Sequence, residues 1–125
     1  MPKDLAEFGG VLKVKVVKIE GFSEQAGFMD KTDPYVELTM GEECYKTETK
    51  DNAGGSVEFN EEFAFNKQEG EQTIVVRVMD SDTLSSDELG RRDIDLDDES
   101  TGNGDFDVVK DGKVTGKVTL EFAYN

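Results

Sequence analysis

Apolar residues recur at every second position in segment after segment of this chain, and clusters of turn residues separate the segments. That pattern leaves strands with one buried face as the main option. Leu12, Val14 and Val16 alternate with Lys13, Lys15 and Val17, which predicts a first strand from Val11 to about Ile19. Val36, Leu38 and Met40 alternate with Tyr35, Glu37 and Thr39 in a second, and Tyr45, Thr47 and Thr49 supply β propensity for a third over Tyr45 to Thr49. Phe59, Phe63 and Phe65 mark the fourth, and Ile74, Val76 and Val78 the fifth, Thr73 to Met79, whose apolar character places it centrally. A sixth runs from about Leu89 to Leu96, a short seventh holds Phe106, Val108 and Val109, and a last, Gly116 to Tyr124, carries Val118, Leu120, Phe122 and Tyr124 on one face.

Eight short strands without a convincing amphipathic helix describe an all-β fold, an eight-stranded antiparallel β-sandwich. Direction reverses at each connection of such a sandwich, so alternate connections emerge at the same end. The first, third and fifth, Glu20 to Asp33, Asp51 to Ser56 and Asp80 to Glu88, therefore share a rim.

What the rim contains is acid. Asp33 stands before Pro34, which cannot donate to a ladder and is tolerated where a strand begins, so Asp33 sits at the loop's edge. The fifth strand ends in Asp80-Ser81-Asp82-Thr83-Leu84-Ser85-Ser86-Asp87. Carboxylates held ~4 Å apart repel by up to ~4 kcal/mol at an effective dielectric of about 20, so clustered acids call for a cation. Calcium takes six to eight oxygens at flexible angles, whereas zinc wants nitrogen or sulfur, in short supply here. A plainer reading stands beside this one: with 29 Asp and Glu in 125 residues, such a run also arises as a solvated loop. Asp93, Asp95 and Asp97 read as the wet face of the sixth strand. The Asp98 to Asp107 stretch has the wrong spacing for a helix-loop-helix calcium site.

Length and charge bound the rest. A chain of 125 residues suits one domain, 10–125 after a lead-in over 1–9, and buries enough surface to fold without disulfides or structural metal. The net charge of −15 repels nucleic acid and bare anionic membrane alike. One cysteine, Cys44, the absence of an apolar run of ~20 residues and the absence of a signal-peptide core lead us to expect a soluble cytoplasmic protein. With no histidine and no nucleophile motif, an enzyme is not expected.

Four segments in order carry a family resemblance: Gly10-Val11-Leu12-Lys13-Val14-Lys15-Val16-Val17, Thr32-Asp33-Pro34-Tyr35-Val36-Glu37-Leu38, Phe59-Asn60-Glu61-Glu62-Phe63-Ala64-Phe65, and Asp80-Ser81-Asp82 followed by Gly90. Together they resemble a C2 domain, the calcium-dependent phospholipid-binding module, over about Gly9 to Phe122. The order of strands and acidic loops is similar to the second of that family's two circularly permuted topologies, and the ending is similar to small stand-alone plant C2 proteins. The resemblance implies Ca2+ ligands at Asp33, Asp80, Asp82 and Asp87, with the Ser81 carbonyl beside them. At the family's first ligand position this chain has Gly27, so Asp30 or Glu24 would have to reach in, and one ion is better served than a second. Phe28 and Met29 at the tip of the first loop, with Leu84 in the Asp80 to Glu88 loop, read either as core-facing or as apolar wedges that enter a bilayer. Lys46, Lys50 and Lys67 make only a thin counterpart of the lysine-rich strand found in some relatives. The implied function is calcium-dependent binding to an anionic phospholipid membrane, peripheral and without catalysis. The alternative is a calcium-independent C2 module that docks protein partners, for example along a strand edge.

Overall fold

The computed structural model describes residues 10–22, 33–51, 53–67, 73–81, 86–96 and 102–124. They form eight strands: β1 Gly10–Glu20, β2 Pro34–Met40, β3 Glu43–Lys46, β4 Val57–Lys67, β5 Thr73–Ser81, β6 Ser86–Asp95, β7 Gly104–Lys110 and β8 Lys113–Tyr124. Among the described residues there is no helix long and apolar enough to cross a membrane.

All neighbouring strands are antiparallel, in the order β3-β2-β5-β6-β7-β8-β1-β4. Between β6 and β7 the register reduces to one pair, Arg91 opposite Val109, and there the sheet folds over. Its two ends then meet. The Tyr45 ring on β3 stacks on Phe63 of β4 at 5.8 Å and meets Phe65 edge-on at 4.9 Å, while Glu43 Oε1 accepts the Asn66 N–H at 2.8 Å. The result is the expected sandwich, with Leu12, Val14 and Val16 facing Val36, Leu38, Ile74, Val76 and Val78 in one core. Each such side chain contributes roughly 1.5–3 kcal/mol when fully buried. The apolar β5 does lie inside its layer, between β2 and β6.

Two details depart from strict alternation, for a local reason. The register of β1 against β4 and β8 shifts between Val16 and Lys18, so the buried positions change phase from Leu12, Val14 and Val16 to Ile19. Opposite that bulge Asn60 adopts a φ of 52°, a left-handed conformation that asparagine tolerates better than most residues.

The ends of several strands also differ from the alternation limits. Thr47 leaves the β3 ladder because its hydroxyl replaces the backbone acceptor: Val36 N–H donates to Thr47 Oγ1 at 2.9 Å, and Thr47 N–H returns a bond to Val36 O at 2.9 Å. The regular pairing therefore stops at Lys46 rather than Thr49. In contrast, β6 starts at Ser86, before its apolar residues, since Asp80 pairs with Asp87 and Ser81 with Ser86 by backbone alone. The β8 strand starts at Lys113 because Asp111 and Gly112, at φ 53° and 81°, turn the chain in two residues.

Candidate functional site

The alternate-connection rule holds in the hydrogen bonds at one end of the sandwich. Gly21 N–H donates to Ser56 Oγ at 3.3 Å and Phe22 N–H to Gly55 O at 3.1 Å, which joins the root of the first connection to the third. Lys50 N–H reaches Pro34 O at 3.0 Å, joining the third connection to the start of β2.

The acidic residues meet there. Asp33 N–H donates to Asp80 Oδ1 at 2.9 Å, and Ser81 N–H donates to Asp33 O at 2.9 Å, so Asp33 is bonded twice to a segment 47 and 48 residues on. Pro34 makes this possible: it ends the loop opposite Asp80 in the β2–β5 register and leaves Asp33 to supply the N–H. Asp87 is the cross-strand partner of Asp80 on the other side, and Ser86 that of Ser81. Asp33, Asp80 and Ser81 are half-buried, while Asp87 is exposed. Like charges directly opposite, such as Asp80 and Asp87, destabilise a ladder unless something offsets them.

Of the expected ligands, Asp33, Asp80, Ser81 and Asp87 are thus brought together, whereas Asp30 and Asp82 lie outside the described residues, as do Gly27, Phe28, Met29 and Leu84. Among the described residues no three acidic or cysteine side chains converge closely enough to hold a metal ion by themselves. The donors that do meet are hard oxygens, the kind that calcium takes. A complete shell requires carboxylates from the neighbouring loop positions.

The strands that present the rim are clamped on their outer face. Arg77 on β5 donates through Nε to Glu88 Oε1 on β6 at 2.6 Å and through Nη1 to Glu37 Oε1 on β2 at 3.0 Å. The bond to Glu88 raises the guanidinium pKa above its ordinary value, burial opposes it, and Glu37 adds to the rise. Arg77→Met is expected to cost about 1–2 kcal/mol, between the values for exposed and buried pairs, seen as a lower urea midpoint at unchanged slope.

Two residues that alternation did not single out hold the first loop's root. Phe22 is fully buried, and its ring covers Gly116 so closely that a Cβ there would come within 2.6 Å of ring atoms. The available signal was an aromatic residue directly after Gly21, at the strand's exit and apart from Phe28 and Met29 at the loop's tip. Of the lysines, Lys46 stands over the Tyr35 ring at 5.8 Å and Lys50 beside Glu48 at 3.7 Å. Lys67 is buried at 2% exposure, so it belongs to no surface patch.

Comparison with known proteins agrees with this fold. The "16 kDa phloem protein 2" of Arabidopsis thaliana is 29% identical over 120 residues, covering 92% of this chain and 81% of that protein. A solved C2 domain-containing protein from a putative elicitor-responsive gene superposes with a TM-score of 0.76 at 28% identity, covering 94% of this chain and 89% of that one. The paired C2 domains of Extended-Synaptotagmin 2, in a calcium-bound structure, share the fold at a TM-score of 0.72 and 21% identity, over 94% of this chain and 47% of that one. The family model for the C2 domain matches residues 10–110, and the chain belongs to the C2 domain family.

Proposed function

We propose that this chain binds anionic phospholipid membranes in response to calcium, as a peripheral module and not as a catalyst. The observation that supports it most is the pair of hydrogen bonds between Asp33 and the Asp80-Ser81 segment, with Asp87 directly across from Asp80. Asp33, Asp80 and Asp87, together with Asp82, Asp30 and the Ser81 carbonyl, would hold the ion. Calcium, when bound, supplies positive charge at an edge that otherwise repels phosphate.

The chain's own part is to hold acids together at a cost, so that metal relieves a repulsion already built in. With a net charge of −15, the free protein is pushed away from an anionic surface, and neutralising the rim removes that barrier where contact occurs. Phe28, Met29 and Leu84 would then enter the bilayer and contribute the apolar share of affinity. We place this action at a cytoplasmic membrane surface. The calcium held by the Extended-Synaptotagmin 2 domains and the hard-oxygen donors of this rim both support the reading.

Sedimentation with vesicles rich in phosphatidylserine tests it: more protein pellets in millimolar calcium than in chelator, and the difference falls as salt rises. Equal pelleting in both would move the assignment to a calcium-independent interaction module. A second readout needs no membrane. Calcium at about a hundredfold excess over its Kd stabilises the fold by about 2.7 kcal/mol, so the melting temperature rises with metal concentration.

A further inference from the structure

We infer that the β7–β8 hairpin is a second membrane-contact element, a preformed apolar and cationic finger that touches an anionic bilayer beside the acidic loops. The inference rests on the membrane reading above but assigns the contact to different residues.

Val109 and Val114 are the large hydrophobic side chains that stand exposed among the described residues, at 39% and 57%. They are cross-strand partners, so they form one apolar knob rather than two scattered residues. The next pair toward the tip is Lys110 opposite Lys113, like charges facing each other across the two-residue turn at Asp111 and Gly112. Such a pair costs stability unless an anion is shared between them. From Val109 to Lys117 the chain carries three lysines and one aspartate, a cationic stretch in a protein of net charge −15.

Position makes the finger useful. Val114 lines a shallow pocket of about 350 Å3 with Glu20 and Gly21 at the root of the first connection, Ser56 at the end of the third, and Gly116 and Lys117 of β8 itself. The Phe22 ring lies against Gly116 at the base of the same hairpin. The hairpin therefore leaves the sandwich at the same end as the Asp33–Asp80 contact; Val109 pairs with Arg91, in register with Arg77 three residues before Asp80, so a surface tilted toward the β7–β8 side of that end meets the knob.

An anionic bilayer fits both halves of the motif. Valines enter the boundary between headgroups and acyl chains, and lysines keep their charge at the phosphates while their stems follow the apolar side. Because the tight turn fixes the hairpin in advance, insertion orders little new chain. Each lysine near such a surface is worth about fivefold in affinity. The valine pair is worth roughly tenfold or more.

The test uses the full chain with Cys44→Ser and Val114→Cys, labelled at position 114 with a polarity-sensitive nitrobenzoxadiazole group, and vesicles of phosphatidylserine and phosphatidylcholine. Calcium and vesicles together are expected to shift the emission to the blue, while a label placed through Ala123→Cys, toward the other end of β8, stays in water. Unlabelled Val109→Ser with Val114→Ser is expected to lose about tenfold or more in vesicle partition while keeping its calcium-induced rise in melting temperature. If the protein pellets with vesicles but the label at 114 does not respond, the hairpin assignment is wrong and the membrane reading stands. If the label shifts in chelator as well as in calcium, the hairpin stands and calcium dependence falls. No pelleting under either condition removes both. A blue shift that grows with protein concentration and needs no vesicles would show that a second copy of the chain, not a bilayer, covers the knob.

Discussion

Asp80→Asn combined with Asp82→Asn is expected to abolish calcium-stimulated vesicle binding and leave the fold intact. The separation of the two effects follows from the hydrogen bond at the site. Asp80 Oδ1 accepts the Asp33 N–H at 2.9 Å, and asparagine retains an oxygen at that position, so the contact between the two loops survives the loss of charge. What disappears is repulsion toward Asp87, the cross-strand partner of Asp80, so the melting temperature in chelator stays level or rises. Each carboxylate removed from a dication is expected to cost about ten- to a hundredfold in affinity, by analogy with hydrogen bonds to charged groups. Calorimetry with calcium on the wild type and on the double variant reads this directly. Heat of binding that persists unchanged in the variant would take the ion away from this rim.

Most of the fold could be read in the chain because alternation reports burial. Leu12, Val14 and Val16, or Ile74, Val76 and Val78, could only be buried together on one side of a strand, and they are. The strand ends were less legible, since at an edge the backbone pairs without regard to side-chain polarity. Ser81 opposite Ser86 extends a ladder through polar residues, and Thr47 ends one with its hydroxyl. Strand direction puts the Asp33 and Asp80 loops on one rim, whereas the bond between the two residues depends on the β2–β5 register, which alternation does not report. The support beneath the rim was not legible in the same way. Phe22 belongs to no strand and so to no period, and its partner Gly116 has no side chain to declare a contact. Likewise Arg77 is one of several polar residues on an outer face, and nothing in its spacing announces bonds to both Glu37 and Glu88.

Phe22→Ala is accordingly expected to have the largest effect on stability of any single change outside the strands. The ring is fully buried, and truncating a buried phenylalanine costs about 3–5 kcal/mol, against a total of about 5–15 kcal/mol for a domain. A lower urea midpoint at unchanged slope would measure it. Gly116→Ala probes the same contact from the other side, because its added Cβ would meet ring atoms at 2.6 Å and Glu20 O at 2.8 Å. Combining the two should cost less than the sum, since the alanine at 22 vacates the space that the new methyl needs; the Glu20 carbonyl keeps the second change from becoming free. The functional consequence follows from what Phe22 anchors. Its N–H bond to Gly55 O ties the first connection to the third at 3.1 Å, so loosening it separates the Asp33 loop from its support and raises the calcium needed for half-maximal vesicle binding. A Phe22→Ala protein that unfolds within about 1 kcal/mol of wild type would mean that this root carries little of the fold. The calcium requirement should then be unchanged too, because the same packing that stabilises the sandwich holds its acidic edge in place.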